Sequence, residues 1–263
     1  RALTDDATVG IYQANYRLGI FMMLVVSMYD YAWRPFYFSV AKEENAKEIF
    51  SRVLTYLLLF MSAVFLFLTF FIRDIATLSL LGRHLIHPKY WGGLGIVPVV
   101  LLGYLFLGIS TNLSAGIYIQ KKTKFLPVIT ILGAVVNIAA NYLLIPAAGM
   151  TGAAWATFLA YFAMAIATYF IGRRIYPVRY EYARLFKIAA ALILVAAAYY
   201  SIQPEILSVA MAWAIKLVLL GLFLALMYFM KFFESEEIRV LRRMLKKRDN
   251  SMIPRENSAP EER

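Results

Sequence analysis

The chain has 263 residues, of which 62% are hydrophobic and 16% aromatic, with a formal net charge of +11 and no cysteine. Its mean hydropathy of +0.66 lies well above what a soluble core requires, so the chain reads as a polytopic membrane protein. Lacking cysteine, it cannot use disulfides, thiol catalysis or cysteine metal sites. Where the basic residues fall matters more than their sum, and a nucleic-acid role is set aside in favour of a topological one.

Seven apolar runs are long enough to cross a bilayer, at roughly 11 to 40, 50 to 72, 92 to 119, 125 to 145, 151 to 172, 185 to 202 and 207 to 230. Taking the connections alternately, one set carries twenty Lys and Arg, counting the tail from Lys231, and the other only four. By the positive-inside rule this places the C-terminal tail in the cytoplasm and residues 1 to 10 outside. The start at Arg1 on the outer side, with an odd number of spans, is read as the C-terminal part of a longer transporter.

The first run carries Arg17, Asp30 and Arg34 within apolar sequence. Each charge near mid-bilayer costs at least about 2.5 kcal/mol, so such groups face a watery cavity, pair, or reach a headgroup. Asp30 and Arg34 stand four apart with the acid first, the favourable order for a helical ion pair. Arg34 fits both snorkelling and a cavity role. Arg17 lies roughly 10 Å into the span and favours a cavity or a partner.

Ala41 to Phe50, AKEENAKEIF, form a short charged cytoplasmic connection. In the opposite loop, Ile75, Leu78, Leu81 and Leu85 recur at helical spacing and predict a helix lying in the headgroup region. His84 and His87 have no third ligand nearby and are expected at the interface, with no metal. The third span carries Pro98, a candidate bending point, together with Ser110, Thr111, Asn112 and Ser114; glycines 103, 108 and 116 equally suit close packing. In the fourth, Gly133, Asn137 and Asn141 recur every four residues, a small polar face for a neighbouring helix or a polar substrate such as a sugar. Alanines 156, 160, 163 and 167 make the fifth span a packing surface.

The segment GRRIYPVRYEYARLFK mixes basic residues with tyrosines, as in chains that lie on an anionic leaflet. It separates five spans (residues 1–175) from two further helices (176–230). Lys216, in the last span, is expected to snorkel. Residues 231–263 are read as a cytoplasmic amphipathic helix followed, from Asp249, by a disordered tail. Neither a P-loop, a GxSxG elbow, an HExxH motif nor paired carboxylates occur, so the chain is not read as an enzyme and no cofactor is expected.

The run VGIYQANYRLG (Val9 to Gly19), WRPF (Trp33 to Phe36) and VNIAANYLLIPAAGMTGAAWATFLAY (Val136 to Tyr161) resemble the second lobe of the polysaccharide transport branch of the multidrug/oligosaccharidyl-lipid/polysaccharide flippase superfamily. The likeness covers residues 1 to 230 and is strongest in the spacing of Asn137, Asn141, Pro146, Gly149 and Gly152. It implies an all-α membrane protein in which seven transmembrane helices form the second lobe of a two-lobed transporter plus an extra C-terminal helix pair. It also implies flipping of polyprenyl-diphosphate-linked oligosaccharide across the cytoplasmic (inner) membrane by alternating access, for envelope polysaccharide. The substrate-binding candidates are then Arg17, Arg34, Asp30, Asn137 and Asn141. The partners are the lipid-linked cargo, membrane lipids and an N-terminal lobe of the same protein. The alternatives are a proton- or sodium-coupled multidrug exporter of the same superfamily and a non-transporting seven-helix receptor or scaffold.

Overall fold

In the computed structural model, residues 6–80 and 83–233 are described. Apart from short connecting turns they are helical, with one strand pair of two residues each. Among the described residues six helices are long and apolar enough to cross a membrane: Asp6–Val40, Ala46–Thr77, Pro88–Ile119, Phe125–Ile175, Tyr182–Ile206 and Val209–Phe229. These are the spans of a multi-pass membrane protein.

The first span is built from α1 (Asp6–Tyr16), a 3-10 turn (Arg17–Gly19) and α2 (Ile20–Val40). Met22, Val26, Trp33, Tyr37 and Val40, at spacings of three, four and seven, form the buried stripe of α2. Next come α3 (Ala46–Thr77) and α4 (Val97–Leu113), the two central helices. In α3 the stripe Phe50, Leu54, Leu57, Met61, Phe65, Leu68, Ile72 and Ala76 repeats every three or four residues along the whole helix. Short α5 (Ala115–Ile119) continues α4 after a break at Ser114. On the far side of α4 lies α6 (Phe125–Ile175); α7 (Tyr182–Ile202) and α8 (Val209–Phe229) pack together and against α3.

Two of the seven apolar runs lie within α6, which holds one non-helical residue, Gly149, at φ +52° and ψ −130°. Only glycine adopts that conformation without strain, and it folds the helix back on itself. A Cβ at Gly133 would lie 2.5 Å from Met164 Sδ, and one at Gly152 would lie 2.2 Å from the Leu144 carbonyl oxygen, so the two arms pack directly on each other.

The headgroup-level helix expected after Ile72 does not form. α3 runs on to Thr77, and β1 (Ser79–Leu80) pairs antiparallel with β2 (Arg83–His84). The Leu85 and Ile86 amides donate to the Leu78 and Ala76 carbonyls at 3.0 Å each. Those bonds turn the chain back on the α3 end, and backbone pairing outweighs the helical spacing of the apolar side chains. Leu81, part of that spacing, and the expected tail helix and disordered tail from 234 onward lie outside the described residues.

Pro98 also differs from expectation. It occupies the first turn of α4, where its missing N–H has no helical acceptor to lose, and the chain before it, Pro88–Ile96, is 3-10. The polar cluster of this span is used in packing. Ser110 Oγ and Thr168 Oγ1 are 2.9 Å apart, the Asn112 amide donates to the Tyr29 hydroxyl, and Trp33 Nε1 donates to the Asn112 carbonyl at 3.4 Å. These bonds tie α2 and α6 to α4.

Candidate functional site

Arg17 opens the 3-10 turn between α1 and α2, and tight packing sets its place. A Cβ at Gly19 would lie 2.7 Å from Val100 and 2.9 Å from Tyr104, so only glycine lets the turn press against α4. On the preceding turn Asn15 is fully buried, its amide donating to the Ile11 carbonyl at 2.9 Å and the Tyr90 carbonyl at 2.7 Å. Leu18 and Gly19 are buried, whereas Arg17 is exposed, and its guanidinium has no partner among the described residues.

Beside this turn stands a group of tyrosines that sequence reasoning did not single out. The Tyr104 hydroxyl donates to the Tyr16 hydroxyl at 3.2 Å, and the rings of Tyr12 and Tyr16 (5.5 Å), Tyr16 and Tyr104 (6.3 Å) and Tyr104 and Tyr161 (5.7 Å) follow one another. Tyr12 and Tyr16, four apart, were a visible signal within IYQANYRLG; Tyr104 and Tyr161 come from other helices.

Asp30 and Arg34 form the expected pair. Arg34 Nε donates to both carboxylate oxygens at 3.1 and 3.0 Å, and Nη2 donates to Oδ2 at 2.7 Å. The guanidinium also stands 5.9 Å from the Tyr118 ring centre. Arg34 is 56% exposed and Asp30 30%, so the pair lies on an open helix face. Asn137 and Asn141, half-buried on the first arm of α6, bond to each other, Asn141 Nδ2 donating to Asn137 Oδ1 at 2.9 Å. No hydrogen bond or ion pair among the described residues joins either asparagine to Arg17, Asp30 or Arg34. Three of the five candidates thus share one span, and two stand apart on another.

Lys216 does not snorkel. Its side chain is 2% exposed, and its ammonium lies 2.6 Å from Asp74 Oδ2 and 3.1 Å from Glu205 Oε1. Both acids have further donors: Trp213 Nε1 to Asp74 Oδ1 at 3.0 Å, the Tyr199 hydroxyl to Glu205 Oε1 at 2.9 Å, and Arg73 Nε 3.5 Å from Glu205 Oε2. A matching cluster at the opposite end centres on buried Arg184. It meets Glu181 Oε1 at 3.1 Å and the Tyr56 hydroxyl at 3.2 Å and lies 4.5 Å from the Phe232 ring centre, while Thr55 donates to Glu181 Oε2 at 2.6 Å. Both clusters fasten the α7–α8 pair to α3.

The histidines serve the loop. A ring nitrogen of His84 donates to the Thr77 carbonyl at 2.9 Å, and His87 Nδ1 accepts from the Lys89 amide at 3.3 Å. Among the described residues no group of three or more His, Cys, Asp or Glu could hold a metal. Comparisons with protein-family models, with curated proteins and with solved structures each find no match to this chain, so its site is read from its own residues.

Proposed function

We propose that the chain is the second lobe and extra helix pair of a flippase that carries polyprenyl-diphosphate-linked oligosaccharide across the cytoplasmic membrane. The observation that carries this reading is Arg17: an exposed guanidinium, unpaired among the described residues, within a 35-residue apolar span. A cation kept there costs at least about 2.5 kcal/mol unless water or an anion meets it, and a diphosphate is such an anion. The family likeness of residues 9–19, 33–36 and 136–161 supports the same cargo. In this reading the folded α6 counts as two crossings, making seven. Residues 1–175 complete five of them, 176–230 form the added pair, and 231–263 lie in the cytoplasm. The open face of α1 and α2 meets an N-terminal lobe across a central cavity, Arg17 and Arg34 attract the diphosphate, Asp30 holds Arg34, and Asn137 and Asn141 offer bonds to sugar hydroxyls. Alternating access needs no covalent chemistry.

The test is Arg17→Ala in the protein as the cell makes it. Export of polymer is lost while membrane insertion is intact; normal export with R17A removes Arg17 from the site and the proposal with it. Efflux of drugs coupled to protons or sodium, with polymer export unaffected, would establish the exporter instead.

A further inference from the structure

We infer that the end of the bundle bearing the basic loops holds a site for one anionic phospholipid, separate from the Arg17 face and independent of what the protein carries. A recess of about 930 Å³ opens between the start of α3 and the connection from α6 to α7. At about 30 Å³ per water, it has room for a phosphoglycerol headgroup. Lys47, Arg173 and Arg179 line it, all three exposed. The two carboxylates on its wall are already engaged, Glu48 by Arg52 at 2.7 Å and Glu181 by Arg184 and Thr55. Lys47 touches only the Tyr176 ring, at 5.3 Å, and no carboxylate pairs with Arg173 or Arg179 among the described residues. Burial pushes the Tyr180 phenol up from its ordinary value, so this wall residue adds no negative charge.

Two further observations point to an anionic ligand. Ser51, one turn into α3, lines the recess and is 4% exposed, yet its Oγ has no hydrogen-bond partner among the described residues. A buried hydroxyl without a partner costs about 1–3 kcal/mol, which a phosphate oxygen would recover. The recess also lies at the N-terminal end of a 32-residue helix, whose dipole favours an anion there.

The ligand is a lipid because the recess continues into an apolar groove. Tyr180 and Tyr182 line both, and beyond them Leu54, Phe106, Ile166 and Phe170 enclose about 210 Å³ along α3, α4, α6 and α7. A phosphate among the cations and a hydrocarbon chain in the groove, with tyrosines at the junction, match the layering of a membrane interface.

The test is native mass spectrometry of the purified full chain with phosphatidylglycerol, phosphatidylcholine and glycerol phosphate as probes. One phosphatidylglycerol is retained in preference to phosphatidylcholine, and R173Q/R179Q weakens its retention roughly 30-fold. K121Q/K122Q, the same charge change on the same end, shifts it less than twofold. I166W, which fills the groove, weakens the lipid and leaves glycerol phosphate unaffected. Equal losses in the two double variants would mean a diffuse attraction to the leaflet and overturn the site. Equal retention of the two lipids, which share the phosphate and differ in net charge, would overturn the selection of an anionic headgroup and with it the site. Glycerol phosphate binding as tightly as the lipid, with I166W neutral, would make the ligand a soluble phosphate. Melting temperatures near wild type show that each variant is folded, and none of these readouts depends on transport.

Discussion

The two acids around Lys216 are predicted to matter more to stability than the lysine itself. The ammonium is 2% exposed and has two carboxylate contacts within 3.1 Å, whereas Asp74 is 29% and Glu205 26% exposed. D74N/E205Q therefore strands a buried cation among neutral groups, a loss of about 3–5 kcal/mol on the scale of broken buried ion pairs. K216M leaves two partly hydrated carboxylates that retain the Trp213, Tyr199 and Arg73 donors, and it fills the cavity with a chain of similar length. Its cost is about 1–2 kcal/mol after discounting for the water those acids keep. The triple variant K216M/D74N/E205Q recovers most of the loss, because a fully neutral cluster has no stranded charge. Reversible unfolding of the full chain in bicelles, read as a double-mutant cycle, gives the three values. Equal losses from K216M and from the acid pair, or a coupling below about 0.5 kcal/mol, would show that the lysine escapes to the interface and that the argument from burial is wrong.

Four other outcomes follow from local geometry. G149A should lower stability by about 1–3 kcal/mol through backbone strain alone, since nothing lies within 4 Å of the added Cβ. G221A, equally open but inside α8 at an ordinary helical φ, should raise the melting temperature of the same preparation. D30N should change stability by less than about 0.5 kcal/mol, because the pair with Arg34 is an open i,i+4 contact. Any larger effect of D30N on polymer export, with unfolding unchanged, then reports on the position of Arg34. Y180F should make the fall in stability above pH 10 shallower. Burial raises this phenol above its ordinary 10.0, so its contribution is whole below pH 10 and is lost as pH rises toward the folded value. An unchanged alkaline limb in a thermal-shift series would show that Tyr180 is not buried.

Local spacing made part of this molecule legible. Apolar length revealed the membrane-crossing helices, the four-residue step revealed the Asp30–Arg34 pair, and the same step on α6 places Asn137 against Asn141. The loop after α3 was misread because Ile75, Leu78 and Leu85 obey a helical period that the backbone bonds of Leu85 and Ile86 override. Lys216 was misread because its partners are not local: Asp74 is 142 positions away, and Asp74 and Glu205 both sit at helix ends, where they count as loop charges. A single intramembrane cation carries no mark in sequence that separates a clamped side chain from an open one.

That separation is what the fold adds. Lys216 and Arg184 are both buried and both held by acids on or beside helices that pack with α3. The charges of Lys216 and Arg184 are therefore spent on attachment and are not available to a ligand. Arg17 is held in a tight turn by Gly19 and the buried Asn15 behind it, yet its own guanidinium meets no partner among the described residues. Rigid packing here ends in a cation that has no partner among the described residues, within an apolar span, where an unmet charge costs at least about 2.5 kcal/mol. Under the proposed function that cost is offset from beyond the described residues, by water or cargo, which is why the binding face is set on α1 and α2 in preference to the clamped pair.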